Sequence, residues 1–161
     1  MDLIIYTIGV YGSSSESFFD QLTSNKIDTF IDIRRRRAVR GSKFSYVNSN
    51  RLQNKLKDLN IKYIHILDLA PTNSIRDLQK EADKKTGTTK RERDVLGEVF
   101  IDKYKSQILD QYNLDNLANK LKELEAKKAV LFCVEQAAQA CHRSLVADKL
   151  KMTYSCPVIN L

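Results

Sequence analysis

From Ala129 to Val134 the chain runs through Ala, Val, Leu, Phe, Cys and Val without one charged, amide or hydroxyl side chain. A run this short and this apolar reads as a strand covered on both faces. The residues after it narrow the fold further. Glu135 and Gln136 to Ala140 form a loop, and Cys141-His142-Arg143-Ser144 leads into the helical stretch Leu145 to Leu150. Two cysteines, a glutamate, a histidine and an arginine therefore fall where a strand end, a loop and a helix start meet. In open α/β sheets ligands bind at such places, because free N–H groups of strand ends and helix N-termini face one crevice.

The rest of the chain repeats the alternation. Leu3 to Ile8 reads as a first strand ending at Gly9. Ser13 and Glu16 have the spacing of a capping box, ahead of a helix with Phe18, Phe19 and Leu22 on one face. Thr29 to Ile33 is a second strand. An irregular segment continues from there as far as Asn48, then a helix carrying Leu52, Leu56 and Leu59. Lys62 to Ile66 alternates, as an edge strand does. After the break at Ala70 to Ser74, the segment from Ile75 to Arg93 is the most charged and least apolar of the chain, an insertion or flap in character. Leu96, Val99, Phe100, Tyr104 and Ile108 mark one amphipathic helix; Leu114, Leu117, Leu121 and Leu124 mark another. Cys156 to Leu161 closes the chain as a fifth strand. The pattern predicts a single Rossmann-like α/β domain with three layers: a mostly parallel five-stranded sheet with helices on both faces. The expected strand order is 3-2-1-4-5, which opens the crevice between Gly9 and Cys133.

Charge is where composition matters. The formal charge is +7, but Arg34, Arg35, Arg36, Arg37, Arg40 and Lys43 supply six of it within ten residues that hold no acid. Such a run is an electrostatic footprint for phosphates, and Phe44 and Tyr46 just beyond it have the chemistry to stack on bases. No apolar run approaches the roughly 20 residues of a membrane span, and the N-terminus lacks a basic n-region. A cytoplasmic protein is expected, with three cysteines reduced rather than paired.

The candidate chemistry gathers at two strand ends. Asp32, between Ile31 and Ile33, is a buried carboxylate in need of a partner. Asp32, Glu135 and His142 are acid–base candidates, and Cys141 near a helix start is a candidate nucleophile. Arg34 and Arg143 are suited to clamp an anion. A cation in a first helical turn opposes the helix dipole, so Arg143 is expected to face a bound anion or a carboxylate, Glu135 or Asp32. Cys133, Glu135, Cys141 and His142 include zinc-type ligands, but Cys-x7-Cys-His has no second pair, and the adjacent Cys141 and His142 are expected to diverge. No metal site is assigned on this spacing. C-x-x-C, phosphatase-type C-x5-R and glycine-rich nucleotide loops are absent.

Thr7-Ile8-Gly9, Asp32-Ile33-Arg34, Tyr63 before a leucine-rich turn, and Phe132-Cys133-x-Glu135 leading to Cys141-His142-Arg143 together resemble the domain-of-unknown-function 488 family, from about residue 4 to 161. Val10-Tyr11, Arg35-Arg36-Arg37 and Leu69-Ala70-Pro71 depart from the residues common at those places. The resemblance implies an α/β fold and a shared crevice, and leaves the cofactor and reaction open. Thr7, Gly9, Arg34, Tyr63, Cys133 and Arg143 are the expected ligand contacts of this chain. The expected ligand bears phosphate, as a nucleotide or a nucleic acid. The alternatives are a non-catalytic nucleic-acid-binding protein using Arg35, Arg36, Arg37, Arg40 and Lys43, and a thiol or metal protein using Cys133, Cys141 and His142.

Overall fold

The computed structural model describes residues 2–90 and 92–161. Five strands form one sheet: β1 (Ile4–Ile8), β2 (Thr29–Asp32), β3 (Lys62–His65), β4 (Lys128–Phe132) and β5 (Val158–Asn160). All four ladders are parallel. Parallel neighbours need a crossover, and the amphipathic segments supply it as α1 (Ser15–Ser24), α2 (Ser49–Asp58), α3 (Asn73–Thr86), α4 (Glu98–Tyr104), α5 (Leu114–Glu123) and α6 (His142–Tyr154). A π-helical turn over Lys105–Leu109 extends α4. The three-layer α/β class expected from the sequence is the one observed.

The strand order is not the expected one. It is β3-β2-β4-β1-β5, with β4 between β2 and β1. Apolarity does not choose between the two orders, since either keeps β4 inside the sheet. What differs is the neighbour, because β4 pairs with β2 as well as with β1, which sets the Arg34 guanidinium over the Phe132 ring, 4.6 Å from its centroid. The correction moves the crevice. The chain leaves β1 and β2 towards the β3 edge, and leaves β3 and β4 towards the β5 edge. The loops after β2 and after β4 therefore part company, and the switch point opens between Asp32 and Phe132, which are register partners. It does not lie between Gly9 and Cys133.

Two cores result. Phe18 and Leu22 of α1 and Leu52 and Leu56 of α2 pack with Phe30 and Phe132 on one side of the sheet. Phe100, Leu117, Leu121, Val146 and Leu150 pack with Ile31 and Leu131 on the other. Phe44 and Tyr46 belong to the first core, both buried, so neither offers a ring for a base to stack on. The cap of α1 also differs: Ser14, not Ser13, accepts from the Ser17 backbone, and Ser17 returns the bond. Ser13 instead donates to the Val10 carbonyl and meets the Tyr46 hydroxyl. The edge position of β3 agrees with its alternation. Among the described residues no helix is long and apolar enough to cross a membrane.

Gly9 has a steric reason. The loop after β1 lies against the loop after β4, with Val10 and Tyr11 both donating to the Val134 carbonyl at 3.0 Å. A Cβ at residue 9 would sit 1.9 Å from the Glu135 carbonyl oxygen. Backbone cannot rotate away as a side chain can, so Gly9→Ala should cost about 1–3 kcal/mol, read as a lower urea midpoint at unchanged slope. An unchanged midpoint would show that the two loops are not held together this tightly.

Candidate functional site

The switch point is a cavity of about 540 Å³, within the range of small-molecule sites. Arg34, Arg35 and Arg36 wall it from the loop after β2, and Cys133, Val134 and Glu135 from the loop after β4. His142 reaches it from the start of α6. The far wall comes from the charged segment, through Arg76, Lys80, Lys90 and Arg93.

Asp32 anchors the β2 side. It is fully buried, and Arg34 satisfies it with a two-pronged bond, Nε to Oδ1 at 2.9 Å and Nη2 to Oδ2 at 2.8 Å. The Arg34 backbone N–H adds a third donor and the Tyr63 hydroxyl a fourth. A carboxylate this fully occupied is a structural anchor rather than a proton shuttle. Arg34 also donates to the Val47 carbonyl and lies over the Phe132 ring, 4.6 Å from its centroid. Its Nη1 is buried with no partner, on a residue that lines the cavity. Arg37 turns away to hydrogen-bond Tyr63, which raises its pKa. Burial and the Asp32 charge push the Tyr63 phenol up to about 12.

Of the other arginines, Arg35 donates to the Pro71 carbonyl at 2.7 Å and still lines the cavity. Arg36 and Arg40 are exposed and line it as well. Lys43 sits over the Phe44 ring and does not. Thr7 is sealed inside the sheet, donating to Asn160 at 2.7 Å. Thr7, Gly9 and Tyr63 thus build the walls behind the cavity without lining it.

On the β4 side the partners are again mostly internal. Arg143, almost wholly buried, donates to the Glu135 carbonyl at 2.5 Å and the Gln136 carbonyl at 3.0 Å. The expected anion or carboxylate is replaced by backbone, so Arg143 shapes the loop after β4. Glu135 is buried too, and its Oε1 takes Arg93 at 2.7 Å and Lys90 at 3.6 Å. Its Oε2 is buried without a partner. Arg93 also binds Asp83 and the Ala140 carbonyl, tying the charged segment to this loop. Arg93 was not legible as a site residue; its only sequence signal is one more cation in a highly charged stretch. Burial, the largest single effect, lowers the Lys90 pKa, but attraction to Glu135 and to the neighbouring Cys133, Tyr11 and Cys141 together outweighs it, and the net shift is upward.

Cys133, Cys141 and His142 meet at one point. Their candidate donor atoms all lie within 4.8 Å of one another, and all three residues are buried. Cys141 and His142 do not diverge, because Cys141 is the extended residue that caps α6 and its sulfur turns back to 3.8 Å from His142 Nδ1. His142 Nε2 donates to the Ile33 carbonyl at 3.0 Å, since a carbonyl can only accept. Nδ1 is therefore the atom facing the sulfurs. The Cys141 thiol donates to Cys133, which, with His142 adding to it, holds Cys133 well below the usual thiol range against the effect of burial. Burial and the same bond raise Cys141. Burial, the largest single effect, opposes a charge on His142, but Cys133, Glu135 and the Ile33 carbonyl together outweigh it and raise the imidazole.

The fold is α/β with a parallel five-stranded sheet, and a cavity opens at the switch point of that sheet. The chain belongs to the family described as Domain of unknown function DUF488, which matches residues 14–150. No curated protein and no solved structure matches it.

Two measurements test these walls. Arg34→Ala leaves Asp32 buried without its cation, and should cost about 3–5 kcal/mol in chemical denaturation. A loss below about 1 kcal/mol, the scale of an exposed pair, would mean that water reaches the pair. The raised Tyr63 pKa means that its contribution is fully present below pH 10 and is lost as pH rises through about 12. Tyr63→Phe should therefore flatten the alkaline fall in stability over that window; an identical fall in the variant would contradict the assignment.

Proposed function

We propose that the cavity binds a small phosphate-bearing molecule of about nucleotide size. The observation that carries this reading is the charge of its lining. Eight cations (Arg34, Arg35, Arg36, Arg40, Arg76, Lys80, Lys90 and Arg93) face two acids, Asp83 and Glu135. Asp32 and the two acids occupy Arg34, Lys90 and Arg93. Arg36, Arg40 and Arg76 form no ion pair with any described residue. Like charges held around one volume repel, and a ligand with several negative oxygens relieves that repulsion while meeting planar guanidinium donors two at a time. A volume of about 540 Å³ suits a small molecule. The buried Phe44 and Tyr46 remove the stacking surface that a single-stranded nucleic acid uses. A compact ligand is thus favoured over a polymer.

Calorimetry with inorganic pyrophosphate and with nucleoside mono- and diphosphates, across a salt series, tests the reading. Saturable binding that weakens with salt is expected. Each of Arg36→Ala, Arg40→Ala and Arg76→Ala should weaken it by about tenfold or more, the worth of a hydrogen bond to a charged group. No binding at low salt, or binding indifferent to all three substitutions, would overturn it. Binding confined to oligonucleotides and abolished by Arg37→Ala and Lys43→Ala would favour a nucleic-acid surface outside the cavity.

A further inference from the structure

At the floor of the cavity stands a donor set that anion binding does not use. We propose that Cys133, Cys141 and His142 form a zinc-type metal site whose fourth coordination position faces the basic cavity. The donors already converge. Two sulfurs and one imidazole nitrogen lie within 4.8 Å of one another, brought there from a strand end and a helix start by the fold. In a tetrahedral zinc site, bonds of about 2.3 Å to sulfur and about 2.0–2.1 Å to nitrogen place the donors roughly 3.5–3.8 Å apart. The Cys141 sulfur and His142 Nδ1 are already at 3.8 Å. Closing the remaining gap takes side-chain rotation and no movement of the sheet.

The imidazole is also oriented for a metal. A metal-binding imidazole commonly donates its other N–H to a carbonyl or carboxylate, which fixes the ring and its tautomer. His142 does this with the Ile33 carbonyl at 3.0 Å, leaving the Nδ1 lone pair towards the two sulfurs. Charge balance agrees. A cavity this basic repels a free divalent cation, but two thiolates cancel its charge, so the filled site is neutral and compatible with burial. Two thiolates and an imidazole select a borderline-soft ion of the zinc class over magnesium or calcium.

Three protein ligands are the number found where a zinc ion keeps a position open for water or substrate. Cys133 and His142 line the cavity and Cys141 does not, so the open position points to where the anionic ligand is placed. Glu135 lines the same cavity with Oε2 buried and unpartnered. Such a carboxylate oxygen is suited to accept a hydrogen bond from a metal-bound water.

The test uses the full chain under reducing conditions and contains no phosphate, so it does not depend on the anion-binding reading. Elemental analysis of protein purified from zinc-supplemented medium should give about one zinc per chain. Chelated protein titrated with Co2+ should develop thiolate-to-cobalt absorption in the near ultraviolet, saturating at one equivalent. Cys141→Ser and His142→Asn should each weaken metal affinity at least tenfold, whereas Cys156→Ser should retain it. Alkylation of the folded wild type followed by mass spectrometry serves if a site variant does not fold. Cys133 and Cys141 should be protected by Zn2+ and exposed by chelator. No stoichiometric zinc and no cobalt spectrum, or metal binding untouched by both site variants, would overturn the proposal. A Cys133–Cys141 disulfide that takes up no metal once reduced would overturn it too.

Discussion

A parallel sheet that holds β4 between β2 and β1 must send the loops after β2 and β4 in opposite directions. Everything at the site depends on that constraint. The parting loops leave a space between Arg34 and Cys133, and α3 walls its far side through Arg76, Lys80 and Asp83. The backbone on either side is then shaped by buried arginines: Arg34 on Asp32 and Val47, and Arg143 on the carbonyls of Glu135 and Gln136. In both cases a guanidinium with several fixed donors secures a loop whose only regular structure is a short 3-10 turn, Ser45–Val47 in one and Ala138–Ala140 in the other.

This arrangement separates two kinds of arginine that look alike in sequence. Arg34 and Arg143 give most of their donors to internal acceptors and act as braces. Arg36, Arg40 and Arg76 keep their charge directed at the cavity. The charged segment after β3 contributes as much as the arginine run. Arg93 fastens it to Glu135 and Asp83, and Lys90 reaches inward to Glu135 as well. The cavity thus gathers cations from two separate segments of the chain, Arg34 to Arg40 and Arg76 to Arg93.

Much of the fold was legible in the chain. Short apolar runs alternating with amphipathic segments specify a parallel sheet covered on both faces, and the alternation in Lys62 to Ile66 marks an edge. The position of β4 was not legible, because apolar strands covered on both faces carry no label for their neighbours. Around the cavity, Asp32, Arg34, Cys133, Glu135 and His142 were singled out because polar and thiol groups at strand ends and a helix start stand out beside apolar runs. Their partners were not. Arg143 chose carbonyls, Asp32 took four donors including Tyr63, and Cys141 turned its sulfur towards His142 because the capping residue of α6 is extended. Phe44 and Tyr46 read as free rings, yet the apolar faces of α1 and α2 claimed them. Arg93 was hidden among equally charged neighbours.

The most direct measurement is a crystal structure of the full chain soaked with inorganic pyrophosphate. Anion density is expected between the loops after β2 and β4, within hydrogen-bond reach of Arg36 and Arg40 on one side and Arg76 on the other. Density confined to the outer face of Arg37 and Lys43, with the switch-point cavity holding none, would contradict a basic cavity built to take a phosphate.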